Sequence, residues 1–240
     1  AKAGKILERV HNELEKALRP GMSTKDIDTL GEEIIRSYGC TPSFLNYNGY
    51  PASICVSVNQ EVVHGIPDKH RIIQEGDIVS LDAGVIYKGY HSDAARTHAV
   101  GEVSEEAKKL IQVTKESFFE GIKFAKAGNH LFDISGAIGR YAEERGYGVV
   151  RDLCGHGIGT ALHEAPEIPN YEVGRKGVRL RPGMTLAIEP MINIGTHEVD
   201  WLDDDWTVVT RDGSLSAHYE NTILITEGEP RILSLTCENE

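Results

Sequence analysis

Five residues of this chain are of the types that hold metal ions, and each stands in or beside an apolar, strand-like run. Asp82 closes Asp77-Ile-Val-Ser-Leu-Asp82, and Asp93 follows in His91-Ser-Asp93. His156 lies between glycines in Cys154-Gly-His156-Gly-Ile-Gly159, Glu189 precedes Pro190, and Glu220 opens Glu220-Asn-Thr-Ile-Leu-Ile225. A carboxylate is expensive to bury unless it is paired or bound to a cation. Four of them beside aliphatic and β-branched residues therefore ask for one. One histidine with four carboxylates is too many ligands, and too oxygen-rich, for a tetrahedral structural zinc. The set suits two divalent ions sharing bridging carboxylates, a device for activating water. Taken singly, each acid has a duller reading: Asp82 as a strand end, Asp93 as a turn cap, Glu220 as a solvent-facing strand residue, Glu189-Pro190 as a strand leaving its sheet. Their joint occurrence points to the metal.

Two further histidines stand in suggestive company. His64 lies in Val63-His64-Gly-Ile-Pro67, and His163 in Leu162-His163-Glu-Ala-Pro166. A histidine near an activated water can donate to a developing oxyanion or position the substrate amide. Alone, either would read as a hydrogen-bonded structural histidine. His11, His70, His130 and His197 sit in polar or helix-surface contexts and receive no role. Asp203-Asp204-Asp205 reads as a solvated turn.

The elements that must position these residues follow from periodicity. Ile6, Leu7, Val10, Leu14 and Leu18 give helical spacing over residues 4–18, ended by Pro20-Gly21. Ser23 or Thr24 caps a second helix carrying Ile27, Leu30, Ile34 and Tyr38, closed by Gly39. Residues 53–58 and 60–63 read as short strands, and 78–87 and 90–100 as longer ones flanking a Lys88-Gly89 turn. Helices are expected over 105–126 and 131–145. The last third reads as strand-rich, with a hairpin signal at Asp212-Gly213.

An internal repeat runs through this pattern. Gly21 and Gly128, Asp26 and Asp133, Gly39 and Gly146, Gly76 and Gly183, and Asp82 and Glu189 are all 107 residues apart. Each half reads helix, helix, strands, with an acid at the same point of one strand and a second acid, Asp93 or Glu220, near its end. Strand parity agrees: Ser80 shares a face with Asp82, and Ala187 with Glu189, while Val79, Leu81, Leu186 and Ile188 point the other way. The expectation is an α+β, two-layer chain: one catalytic domain over residues 1–240, its halves spanning roughly 1–100 and 105–235.

Bulk composition narrows the partners. The net charge of −12 opposes nucleic acid as a direct ligand, because phosphate binding needs a basic face. No apolar run approaches the roughly 20 residues of a membrane span, and no basic-then-apolar signal segment opens the chain. The four scattered cysteines, Cys40, Cys55, Cys154 and Cys237, read as reduced thiols of a cytoplasmic protein.

The motif series Leu81-Asp82-Ala-Gly84, His91-Ser-Asp93, Cys154-Gly-His156-Gly-Ile-Gly159, Leu162-His163-Glu-Ala-Pro166, Ile188-Glu189-Pro190-Met191 and Ser216-Ala-His-Tyr-Glu220-Asn-Thr222 resembles that of type I methionine aminopeptidases, in order and spacing along nearly the whole chain. Val63-His64-Gly-Ile-Pro67 and Asn46-Tyr-Asn-Gly-Tyr50-Pro51 match on the substrate side. No long insertion separates His163 from Glu189, as type II enzymes would have. The resemblance implies the pita-bread fold, two pseudo-symmetric helix-helix-strand halves around a dinuclear metal site. It implies that Asp82 chelates one metal, that Asp93 and Glu220 bridge both, and that His156 and Glu189 complete the ligand set of the second metal. A bridging water or hydroxide would attack the scissile carbonyl, with Glu189 accepting the proton. His163 would stabilise the oxyanion, and His64 would contact the scissile nitrogen or the residue after methionine. Phe44, Tyr47, Tyr50, Cys55, Leu162 and Trp206 would line the methionine pocket, an apolar and polarisable lining suited to a thioether.

The implied metals are Mn²⁺, Fe²⁺ or Co²⁺, with Zn²⁺ also admissible. The implied substrates are peptides and nascent chains, including those at the ribosome, that begin with methionine before a small second residue. A monomer is expected. The alternatives are a prolidase or X-Pro aminopeptidase, which shares fold and ligands but usually carries an extra N-terminal domain for which 240 residues leave no room, and a metal-free binding relative, which would have lost ligands.

Overall fold

The computed structural model describes residues 1–235; of the residues singled out above, only Cys237 lies outside them. Two helices open the chain: α1 (Lys2–Ala17) and α2 (Thr24–Ser37). Helix α2 starts at a capping box, the Asp26 N–H donating to Ser23 Oγ at 3.0 Å and the Ser23 N–H to Asp26 Oδ2 at 2.8 Å. Short strands β1 (Thr41–Pro42), β2 (Ile54–Val58) and β3 (Glu61–Val63) follow, then the long hairpin of β4 (Ile78–Tyr87) and β5 (Tyr90–Ala99). Lys88 (φ 51°) and Gly89 (φ 82°) are both left-handed, as the two-residue turn that matches strand twist requires. Helices α3 (Glu105–Ile122) and α4 (Leu131–Glu143) open the second half. Helix α3 stops short of residue 126: the N–H groups of Phe124 and Ala125 reach back only three residues, to Gly121 and Ile122, tightening the last turn.

The remaining strands are β6 (Gly148–Val149), β7 (Gly155–Gly157), β8 (Glu164–Ile168), β9 (Thr185–Ile188), β10 (Met191–Asn193), β11 (Val199–Trp201), β12 (Val208–Thr210), β13 (Ser216–His218), β14 (Glu220–Leu224) and β15 (Arg231–Ile232). A central antiparallel sheet runs β1-β4-β5-β14-β9-β7-β8, with β2 also on β4 and β15 on β14. Helices α1 and α2 cover its first half, where Leu7, Leu14, Ile27 and Ile35 pack on Val79, Leu81, Ala83 and Val85. Phe118, Ile134 and Ile138 cover the second half, on Leu186, Ile188 and Ile223. The aliphatic parity of β4 and β9 therefore faces the helices, and the opposite parity is left for chemistry.

The repeat holds in detail. The Gly21 N–H donates to Ile73 O and the Gly128 N–H to Leu180 O; the bridge between Ser23 and Ile72 recurs between His130 and Arg179. All four correspondences keep the spacing of 107 residues. Half of the capping box recurs, the His130 N–H donating to Asp133 Oδ2 at 2.8 Å. Strands β5 and β14 meet at the centre, Ala94 opposite Asn221 and Ala95 opposite Glu220, so the seam between the halves runs beside the acids.

Two expectations need correction. Asp212-Gly213 does turn the chain, but β12 and β13 part into different sheets, β12 pairing with β11 and β3 and β13 with β10. The Asp212 carboxylate accepts from the N–H groups of Thr196 and Ser214, which ties the turn to the neighbouring loop instead of closing a hairpin. His11 is not on a helix surface: it is buried beneath the sheet, its Nε2 2.8 Å from Ala94 O.

Candidate metal centre

Register brings the acids together. Asp82 and Glu220 both stand opposite Ala95, on either side of β5, and Gly84 stands opposite Asp93. Asp82 and Asp93 are thus diagonal neighbours across one hairpin, within reach of each other's side chains. On the far side, β14 pairs with β9 so that Asn221 faces Ile188, which carries Glu220 alongside Glu189; His156 pairs with Ala187 on the next strand. The small residues Ala95, Ala187 and Gly84 leave the acid-bearing face open.

His156 Nε2 lies 3.5 Å from Glu189 Oε1 and 3.9 Å from Asp93 Oδ2. Its Nδ1 lies 2.9 Å from Gly157 O, which fixes Nδ1 as the protonated nitrogen and turns the Nε2 lone pair to the carboxylates. Asp93, His156 and Glu220 offer ligand atoms all within 4.8 Å of one another. Among the described residues Asp82 belongs to no such triad; it stands diagonally across the hairpin from Asp93.

The electrostatics are those of a site built to hold a cation. Burial pushes the Asp82 carboxyl up to about 7. Burial first, and the neighbouring carboxylates next, hold Asp93, Glu189 and Glu220 well above the ordinary range. Burial, reinforced by His163, lowers His156 to about 4, so the ring is neutral at pH 7 as a metal ligand must be. Asp82 Oδ1, Asp93 Oδ1 and Glu220 Oε1 are buried and have no hydrogen-bond partner among the described residues. Orphaned buried oxygens of this number are costly, and oxygen-rich divalent coordination is what relieves them. The donor set fits a metal pair.

Above the acids opens a cavity of about 250 Å³. Every site residue expected from sequence lines it: the five metal-type residues, His64 and His163, and the six pocket residues Phe44, Tyr47, Tyr50, Cys55, Leu162 and Trp206. Cys55 stands opposite Asp82 on β2, joining pocket wall to acid row, and burial keeps its thiol protonated. The Tyr50 hydroxyl donates to Gly65 O at 3.0 Å, and its ring meets Trp206 edge-on at 5.1 Å. His163 Nδ1 lies 2.8 Å from the Tyr47 hydroxyl. His64 is held in the left-handed region (φ 59°), a conformation costing a non-glycine residue about 1–2 kcal/mol; burial lowers its ring to about 4.

Sequence reasoning missed the supports. Arg96 bonds the Glu220 carbonyl and donates to Asn221 Oδ1 at 2.6 Å, stapling β5 to the strand that carries Glu220. The Thr222 hydroxyl takes the Asp93 N–H and bonds the Asp93 carbonyl, both at 2.9 Å. Asn48 also lines the cavity. His218 was passed over too, although it stands two residues before Glu220 within one of the motifs.

Helix-covered halves, a central antiparallel sheet and a carboxylate-histidine cluster on the seam define a pita-bread metallopeptidase. The chain belongs to metallopeptidase family M24, whose family model matches residues 1–227. A methionine aminopeptidase of Clostridium acetobutylicum is 58% identical over 236 residues, covering 98% of this chain and 94% of that protein. The crystal structure of a methionine aminopeptidase from Thermotoga maritima superposes with a TM-score of 0.95 at 48% identity, covering 98% of this chain and 94% of its own. A Xaa-Pro dipeptidase from Bacillus anthracis stands further off, at a TM-score of 0.77 and 27% identity, and this chain spans 60% of it.

Proposed function

We infer that the chain is a metal-dependent aminopeptidase that hydrolyses the bond after an N-terminal methionine. The observation that carries this is one cavity of about 250 Å³ that has four carboxylates and His156 at its floor and an aromatic, thiol-bearing wall beside them. Asp82, Asp93, His156, Glu189 and Glu220 would hold two divalent ions, which supply a Lewis acid and a water activated near neutral pH. The wall suits a thioether, polarisable and unbranched.

Each protein group has a task set by its surroundings. Glu189, which keeps 14% of its side chain exposed and lines the cavity, accepts a proton during attack and returns it to the departing amine. The Tyr47 hydroxyl orients His163 through Nδ1, leaving Nε2 to face the oxyanion. His64, neutral at pH 7, faces the scissile nitrogen or the second residue. The carboxylate floor meets the substrate's free α-amino group and ties cleavage to the chain terminus. Tyr47, His64 and His163 crowd the exit, which favours a small second residue.

Oxygen-rich ligation suits Mn²⁺, Fe²⁺ or Co²⁺ and admits Zn²⁺. The reading extends to a cytoplasmic monomer, residues 1–240 acting as one catalytic unit on nascent chains. A peptide series tests it: Met-Gly and Met-Ala peptides should release methionine at least about tenfold faster than Met-Leu or Met-Phe peptides. Equal rates would remove the crowded-exit argument.

A further inference from the structure

We propose that His218 is a sixth protein ligand of this metal centre, supplying a second nitrogen on the side of Glu189 and Glu220 away from His156. The proposal rests on the dinuclear reading above and adds a donor to it.

Geometry carries it. His218 Nε2 lies 3.8 Å from Glu189 Oε2 and 3.9 Å from Glu220 Oε2. These spans match those of His156 to its own two carboxylates, 3.5 and 3.9 Å. Glu189 therefore sits between two imidazoles, Oε1 toward His156 and Oε2 toward His218. Glu189, His218 and Glu220 offer ligand atoms within 4.8 Å of one another, as Asp93, His156 and Glu220 do, and Glu220 is common to both sets. Metal–ligand bonds of about 2.0–2.1 Å put neighbouring donors about 3 Å apart, so a cation would draw either set inward by under 1 Å.

Burial without a partner is the independent sign. The His218 side chain is 1% exposed, and neither ring nitrogen has a hydrogen-bond partner among the described residues. A buried imidazole with both nitrogens unmet is costly, and two carboxylates of the metal floor stand beside its Nε2. At 3.8–3.9 Å these are too far to accept a hydrogen bond directly; an ion between them is not.

The backbone is built to hold the ring there. The His218 N–H donates to Thr97 Oγ1, and the Thr97 hydroxyl bonds His218 O, both at 2.9 Å. Strand β13 pairs His218 with Met191, two residues beyond Glu189, and the Tyr219 N–H reaches Pro190 O at 3.2 Å. His218 is thus clamped from both halves of the repeat. The chemical consequence is a centre with two imidazoles, which raises the relative affinity for Co²⁺ and Zn²⁺ over Mn²⁺.

The test loads metal-depleted protein with Co²⁺, follows binding by calorimetry, and records hyperfine-shifted imidazole N–H signals by proton NMR. Two such signals are expected in the unsubstituted protein and one in His218→Gln, with one of two binding steps weakened about 10–100-fold. A single shifted signal in the unsubstituted protein overturns the assignment without any variant. So does His218→Gln with unchanged affinities and unchanged signals. Failure of the unsubstituted protein to bind Co²⁺ at all would instead remove the metal centre on which the proposal stands.

Discussion

Metal affinity in this protein should rise steeply as the pH climbs from 5 to 7. A divalent ion can take Asp82 as a ligand only once its carboxyl has released its proton, and burial holds that proton up to about 7. A carboxyl at its ordinary value of 3.8 would already be ionised at pH 5 and would leave binding flat from there upward. With Asp82 alone protonated, affinity should rise about ninefold from pH 5 to 6 and about fivefold from pH 6 to 7, where half the carboxyls are ionised. That is about fiftyfold in all, or about 2.3 kcal/mol. Asp93, Glu189 and Glu220 shift in the same direction and steepen the rise. His156 adds nothing in this window, because burial has lowered it to about 4 and it is neutral throughout. Calorimetric titration of chelator-treated protein with Mn²⁺ at pH 5, 6, 7 and 8 measures this. Repeating the pH 6 titration in buffers of different ionisation enthalpy counts the protons released, with at least one expected per pair of ions bound. Affinity that is level from pH 5 to 7, with no proton release, would refute the account of the buried carboxylates.

Four substitutions probe three separate parts of the structure. Asp28, 1% exposed, accepts from the N–H groups of Ser53 and Ile54 through one oxygen, so Asp28→Ala should lower the stability of the fold by about 2–4 kcal/mol in urea unfolding; an unchanged midpoint would contradict that role. Tyr47→Phe removes the bond that orients His163 and should lower kcat/KM for Met-Gly-Met about fivefold, the equivalent of about 1 kcal/mol, with the melting temperature unchanged; full activity would release His163 from its assigned task. His156→Ala and Glu189→Ala should each lower turnover by at least about a hundredfold, since losing a ligand exceeds the effect of disturbing its support; retained activity in either would break the site assignment.

How much of this was legible in the sequence differs by element. The β4–β5 hairpin ends where alternation and Lys88-Gly89 placed it, because period and turn chemistry are local. The repeat was readable because cap and turn residues are fixed by local backbone geometry, and both halves kept them. The metal-type residues stood out because charged residues inside apolar runs need a reason. The split of β12 from β13 was not legible: it depends on Asp212 bonding a loop that sequence does not place beside it. Nor was His11, whose helix face looks polar until Ala94 O is brought within 2.8 Å of it. Arg96 and Thr222 escaped for a related reason. Their partners are Glu220 and Asp93, and residues more than a hundred positions apart meet only once the sheet is assembled. His218 shares the parity of Glu220, but a strand change between them hides what its ring faces.

The central claim is that this metal centre and this pocket together release N-terminal methionine. Metal-depleted protein, reconstituted in turn with Mn²⁺, Fe²⁺ and Co²⁺, should be assayed for free methionine from Met-Gly-Met and for cleavage of an X-Pro peptide at equal concentration. The account predicts that methionine release returns with metal and exceeds X-Pro cleavage by at least about a hundredfold. Preference for the X-Pro peptide, or methionine release that survives in the chelated protein, would contradict it.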